Sequence, residues 1–452
     1  MIQTRIQLSI PIKAKTICDV LGCQLKPLAA DEIGFITTDS RECNSGDLFI
    51  SLSQNPESAK AHLIEAGSKG AITLGKGGDI EATDTTEALL KIAEHYKSTL
   101  PSLKHTVAIT GSVGKTTTKE FLREIAGTKY KTFANHGNKN NLIGLPLTIL
   151  SAPKDTELLV LECGMNHIGE ISRLSRCAHP DVAVITVIGT SHIGNLGSRE
   201  AIAKAKCEIT HGMKRRGAVV CDIDEPLLET LECRITFSCV DPNADCFLSS
   251  DYAILKLPQS VPIEISLPFT QPHLISNLAA ACAAAYAVGM SREQITDGIK
   301  KIGSEHLRHR IIRYNGYTIV DDAYNASFES TGAAIGLIKS IYASRHIALL
   351  GDILELGEFT RSIHEQIGEL IASTDITKLL LVGEYAEYTR RGAVKRGMNS
   401  DDIIIFPNAD NIKKLASDIR ALLRRGDALL IKASHRSGLW QLADLITGGD
   451  ND

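Results

Sequence analysis

The alternation of hydrophobic and polar positions divides the chain into three successive series of short apolar runs separated by helix-length stretches. In the first series, residues 1–104, the stretch 31–52 reads as two strands joined by a turn, the second following Gly46 directly. A helix over 58–68, a strand over 71–74 and a helix over 86–98 come next, and Pro101 marks a boundary. The second series, residues 105–312, opens with a strand over 106–109, a Gly-rich turn and a helix from 116 to about 127. Buried strands are expected over 157–161 and 182–187, and helices alternating with them predict a mainly parallel sheet. Residues from about 235 to 270 are strand-like and punctuated by proline, and an Ala-rich helix over 275–288 is expected to pack closely. The third series, residues 313–452, places strands over 317–321, 346–350, 378–382, 403–406 and 428–431 with helices between them. That is the pattern of a Rossmann-like open sheet. The fold class is α/β.

Bulk properties narrow the functional classes. A chain of 452 residues is too long for one ordinary core. The formal net charge is −4 and the basic residues are scattered, which argues against a nucleic-acid binder. No apolar run approaches the roughly 20 residues that span a bilayer. The N-terminus lacks the apolar segment and small-residue cleavage site of a secretory signal. The 11 cysteines are irregularly spaced without a C-x-x-C pair, as expected of reduced thiols in a cytoplasm. A cytoplasmic monomeric enzyme acting on small molecules follows as the expectation, with no nucleic acid and no membrane insertion.

The strongest local signal is Gly111-Ser112-Val113-Gly114-Lys115-Thr116-Thr117 between an apolar strand and a helix. Glycines let the backbone curl so that its N–H groups face a polyphosphate, and the helix N-terminus adds positive partial charge. Lys115 would reach the outer phosphates and the Thr116 hydroxyl would ligate Mg²⁺. Ile109 stands where the common phosphate-loop pattern has its first glycine. Glu162 ends an apolar strand and could hold the metal directly or through water.

Further along lie Asn138, Asn141, Gly144 and Pro146, then Glu162 and Gly164, then His192, and Lys206 in the run AKCEI. Together with Thr110 to Thr117, this ordered set resembles the Mur ligase family of ATP-dependent amide ligases. Asp39-Ser40-Arg41 with the following Gly46 to Phe49 looks like the family's N-terminal nucleotide-sugar domain. The segments 321–326 (DDAYNA) and 349–357 (LLGDILELG), with His364, are similar to the branch that uses D-alanyl-D-alanine.

The resemblance implies three domains: 1–104 for a UDP-sugar, 105–312 for ATP, and 313–452 for the amino substrate. It implies ATP and Mg²⁺ as cofactors, with UDP-N-acetylmuramoyl-tripeptide and D-alanyl-D-alanine as substrates joined through an acyl phosphate. By the same resemblance Thr116, Glu162, His192 and a carbamylated Lys206 serve or orient the metals. Asn141, Asn277, Asp322 and Asn325 belong to the nucleotide site, with Asn277 at the adenine and Asp322 at the ribose. Ser40, Arg41, Lys432 and Ser434 face substrate. Arg310 either neutralises phosphate as the domains close or forms an interdomain salt bridge. Four stretches depart from the family pattern, at 53–62, 271–274, 327–328 and 432–434. They keep open a family member with a different acid and amine, or an inactive nucleotide-binding scaffold.

Overall fold

The computed structural model describes residues 5–24, 32–232, 234–249, 251–307, 309–406 and 411–448. Three sheets organise them. The first holds β1 (Arg5–Lys13), β2 (Glu32–Thr37), β3 (Leu48–Ile50), β4 (Ile72–Gly75) and β5 (Ile80–Glu81) in that spatial order. Only β1 runs antiparallel. The two strands expected to meet across a turn, β2 and β3, therefore pair in parallel. A parallel pair needs a crossover rather than a hairpin, and residues 38–47, with a 3-10 turn at Ser40–Glu42, supply it.

The central sheet contains β6 (His105–Thr110), β7 (Thr132–Ala134), β8 (Leu158–Glu162), β9 (Val182–Ile185) and β10 (Ala218–Asp222). The stretch expected to be strand-like adds β11 (Arg234–Ser238), β12 (Cys246–Leu248), β13 (Ile254–Lys256) and β14 (Ile263–Glu264). The spatial order is β14-β13-β12-β11-β10-β9-β6-β8-β7, parallel from β7 to β12. β6 has β8 on one side and β9 on the other. The chain thus leaves β6 toward both sides, which opens a crevice at its carboxyl end. The Ala-rich helix Pro272–Ala287 packs on this sheet and on the helix Lys115–Ala126, with Ala279 to Ala285 fully buried. Small side chains allow that close approach, and larger ones would overpack it.

The third sheet is β15 (Arg310–Tyr314), β16 (Tyr317–Asp322), β17 (Arg345–Leu350), β18 (Ile376–Val382), β19 (Ile403–Phe406) and β20 (Asp427–Lys432). Its order is β15-β16-β20-β17-β18-β19, parallel except for β15. β15 was not anticipated. It is an edge strand that begins at Arg310, so the third sheet starts ahead of residue 313. The alternating exposure of Arg310–Tyr314 gives no buried apolar run for a sequence reading to detect.

Candidate active site

One cleft of about 830 Å³ lies where the carboxyl ends of β6 and β8 face those of β16, β17 and β20. Its floor is the phosphate loop. Gly111 has φ +147° and Gly114 has φ +86°, and neither has room for a Cβ. At Gly111 it would strike Thr186 Oγ1, and at Gly114 it would strike Asn277 Oδ1. Ser112 Oγ accepts from Gly189 N at 3.0 Å, and Thr186 Oγ1 donates to Val113 O at 2.6 Å. The loop is thereby tied to the segment after β9. Lys115 Nζ donates to Gly111 O at 2.7 Å, curling over the loop it belongs to. Thr117 lies beside it, largely buried, in the first turn of the helix.

Glu162 is almost fully buried yet lines the cleft. Its carboxylate accepts from Thr116 Oγ1 at 2.8 Å and from Asn140 Nδ2 at 2.7 Å. Its backbone is held by Asn135, whose Oδ1 accepts from Glu162 N at 2.9 Å and whose Nδ2 donates to Glu162 O at 3.1 Å. β7 stops at Ala134, opposite Val160, so the Asn135 amide continues the ladder where backbone pairing ends. Asn141 Oδ1 accepts from Ile143 N and Gly144 N, shaping the start of the helix Gly144–Leu150. Asn138 and Asn141 also line the cleft.

Lys206 stands apart from ordinary lysines. It is almost fully buried, with Lys115, Cys163 and Glu162 as its charged or titratable neighbours. Desolvation, reinforced by the nearby Lys115 ammonium, pushes its pKa well below the usual value, against weaker pulls from Cys163 and Glu162. His192 adopts a left-handed backbone, φ 64°, and its Nδ1 lies 2.6 Å from Glu355 Oε2. That contact holds the Glu355 carboxyl below its usual range.

The third sheet contributes Lys432, buried, which pairs with Asp322 at 2.8 Å and donates to Asn325 O. Ser434 Oγ donates to Asp352 O at 2.8 Å and so fixes the loop after β17. His364 supports the same loop: Nδ1 bonds Thr360 O and Nε2 accepts from Ile353 N, while burial lowers its pKa. His273 and His309 also line the cleft, and burial pushes His273 down to about 4. Asn277 approaches Thr118 Oγ1 at 3.4 Å beside the loop.

Gly111 and Lys206 are not part of the cleft's lining, and Arg310, Ser40 and Arg41 are not brought to it. Arg310 sits on the edge strand, bound to Asp321 at 2.7 Å and Asp444 at 3.0 Å, so its salt bridges stay within the third sheet's unit. The ion pairs seen at Arg310 among the described residues are therefore not the expected bridge to the central unit. Ser40 donates to Glu65 at 2.6 Å and Arg41 pairs with Asp39 at 2.6 Å, both on the first sheet's unit. Sequence reasoning passed over Asn135, Asn140, Glu329 and the reach of Glu355. Asn140 lies inside the Asn-rich run that was singled out, whereas an asparagine at the end of an edge strand carries no signal.

Comparison with known proteins gives a consistent set of relatives. Residues 109–285 match the Mur ligase middle domain, and residues 307–435 match the Mur ligase glutamate ligase domain. A UDP-N-acetylmuramoyl-tripeptide--D-alanyl-D-alanine ligase from Bacillus subtilis (strain 168) is 33% identical over 434 residues, covering 91% of this chain and 93% of its own length. The crystal structure of MurF from Acinetobacter baumannii superposes with TM-score 0.84 at 27% identity, over 98% of this chain and all of that one (100%). MurF ligase from Thermotoga maritima in complex with ADP superposes with TM-score 0.78 at 26% identity, over 92% of this chain and 97% of that one. With relatives spanning nearly its whole length, the chain belongs to the Mur ligase family.

Proposed function

We propose that this chain joins D-alanyl-D-alanine to UDP-N-acetylmuramoyl-tripeptide, converting ATP to ADP and phosphate and yielding the muramoyl pentapeptide. The observation that carries the reading is one cleft in which a phosphate loop, a buried acidic strand end and the polar edge of a third sheet converge. The relatives named for that reaction support the substrate pair.

A carboxylate is a poor acyl donor because oxide is a poor leaving group, and phosphorylation removes that obstacle. Phosphoryl transfer depends mainly on positioning and charge neutralisation. Lys115 would leave Gly111 O to meet the outer phosphates, and the backbone N–H groups of 112–116 would face them. The cleft offers hard oxygen donors, the Thr116 hydroxyl and the Glu162 carboxylate, which fit Mg²⁺. Among the described residues no three His, Cys, Asp or Glu side chains gather as a cage, so phosphate oxygens would complete its coordination. When bound, the ion supplies charge neutralisation of the phosphates and the attacking carboxylate. His192, with Glu162 and a carbamylated Lys206, would hold or orient a second Mg²⁺, and Lys206 would first take up CO₂. In that step the deprotonated Nζ bonds the carbon of CO₂ and releases one proton, leaving an anionic carbamate in place of a neutral amine. Lys432 with Asp322 and Asn325 would hold the nucleotide's sugar side of the cleft, while Asn277 lies near the adenine. Ser434, through the loop after β17, borders the approach of the amine.

On this reading residues 1–104 take the uridine nucleotide, with Ser40 and Arg41 beside it, residues 105–312 take ATP and residues 313–452 take the dipeptide. Among the described residues no helix is long and apolar enough to cross a membrane. A cytoplasmic monomer accords with nucleotide substrates and unpaired cysteines. The test is phosphate release by the purified chain with Mg-ATP, UDP-N-acetylmuramoyl-tripeptide and D-alanyl-D-alanine, omitting each in turn. Release that needs all three, with the pentapeptide identified by mass, supports the reading. Release that ignores the dipeptide overturns it.

A further inference from the structure

The loop 188–194 after β9 meets the third sheet's unit at a seam built for contact between backbones. Gly194 N donates to Glu355 O at 3.1 Å, and a Cβ on Gly194 would strike Gly357 N and the Leu356 carbonyl carbon. A Cβ on Gly357 would in turn strike Gly194. Two carboxylates from the third unit cross the seam. Glu329 Oε1 accepts from Thr190 N at 2.7 Å and Oε2 accepts from Thr190 Oγ1 at 3.3 Å. Glu355 Oε2 lies 2.6 Å from His192 Nδ1 as a charge contact, with Nδ1 making no aligned hydrogen bond. The residues that face each other there, His192 (φ 64°) and Glu355 (φ 63°), both hold left-handed backbones. Such conformations are unfavourable for residues other than glycine and persist only where surrounding contacts enforce them.

We propose that Glu329 and Glu355 are positioning residues. They dock the third sheet's unit on loop 188–194 through the Gly194–Gly357 contact, and Glu355 thereby sets the His192 ring for ligation. The inference rests on the ligase reading for its catalytic part and on geometry alone for the docking. When the third unit withdraws, His192 loses the Glu355 carboxylate beside Nδ1, so the imidazole is set only while the third unit is in place. This couples ring orientation to closure.

Gly194→Ala is a wedge at this seam. Gly194 lies in the short helix Ile193–Leu196 without a left-handed φ, so alanine suits its local backbone and only the seam opposes it. Small-angle X-ray scattering of the whole chain with Mg-ADP should give a larger radius of gyration for Gly194→Ala than for wild type. Nucleotide affinity should fall with it, because Asp322 and Asn325 move away with the third unit, and kcat should fall roughly 100-fold, the scale of an ångström-level misplacement. Glu329→Ala should move both readouts in the same direction and serves if the wedge variant does not fold. Glu355→Ala should lower kcat without raising KM for ATP, and Glu355→Gln, which keeps an acceptor oxygen, should recover part of the loss. Wild-type scattering and kcat in Gly194→Ala and Glu329→Ala overturn the docking. Wild-type kcat in Glu355→Ala overturns the role at His192. If the wild-type chain does not ligate at all, the ligase reading fails, and the scattering comparison alone decides the docking.

Discussion

Replacing Asn135 with alanine removes the clamp on the acidic strand end without touching any atom of the cleft wall. The side chain is 1% exposed and makes three hydrogen bonds: two to the backbone of Glu162 and one from Nδ2 to Lys139 O at 2.8 Å. β7 has ended by this point, so no strand backbone replaces them. Net hydrogen-bond contributions of about 1 kcal/mol each give a loss of about 3 kcal/mol, with buried donors and acceptors left unpaired as the reason it should not be smaller. For a unit the size of the central one, that corresponds to a drop of roughly 6–12 °C in Tm. Calorimetry of the purified variant reads the shift in the transition that carries the central sheet. The same change frees Glu162 to drift, so kcat should fall while the fold persists. A Tm within about 1 °C of wild type, well below the shift expected for that loss, would refute the clamp.

Lys97 is buried between the helix Thr85–Thr99 and the central unit, and burial pushes it down to about 8 from the ordinary 10.5. Below about 8 both folded and unfolded states carry the proton and the penalty is full, about 3 kcal/mol. As pH rises from about 8 to 10.5 the folded amine deprotonates first and the penalty disappears. Lys97→Met should therefore stabilise the chain in urea titrations at pH 7, and the gain should shrink toward pH 10. A pH-independent difference would contradict this. With ¹³C-labelled bicarbonate, wild-type protein should show a carbamate carbon resonance that Lys206→Ala lacks; an identical spectrum in both removes Lys206 as the site. Thr116→Val, which deletes the hydroxyl on Glu162, should raise the Mg²⁺ concentration for half-maximal turnover on the order of tenfold, about 1.4 kcal/mol for one charge-assisted contact. Thr116→Ser should restore it.

Much of this architecture was legible because its strands are buried runs bounded by glycine, proline or polar clusters. β6, β8, β17 and β20 lie within a residue or two of the expected bounds. The phosphate loop was legible for a different reason: Gly111 and Gly114 mark backbone that no side chain can occupy, a constraint written directly in residue type. What escaped depends on approach in space. β15 is exposed or half-buried throughout, and β2 and β3 look like a turn-linked pair in sequence because their parallel pairing is set by register rather than by local pattern. Arg310 illustrates the limit at the site. Its motif position matched, but its guanidinium is satisfied by Asp321 and Asp444, of which Asp444 lies 134 residues away. Glu355 was read within its motif, but its reach to His192 follows only from two glycines meeting across a seam.

The central claim, that a carboxylate is activated as an acyl phosphate in this cleft, is tested most directly by isotope transfer. UDP-N-acetylmuramoyl-tripeptide labelled with ¹⁸O in its terminal carboxylate is turned over with Mg-ATP and D-alanyl-D-alanine, and the released phosphate is analysed by mass spectrometry. The account predicts that the phosphate carries an ¹⁸O taken from the carboxylate. Phosphate released at the rate of ligation but free of ¹⁸O would contradict it.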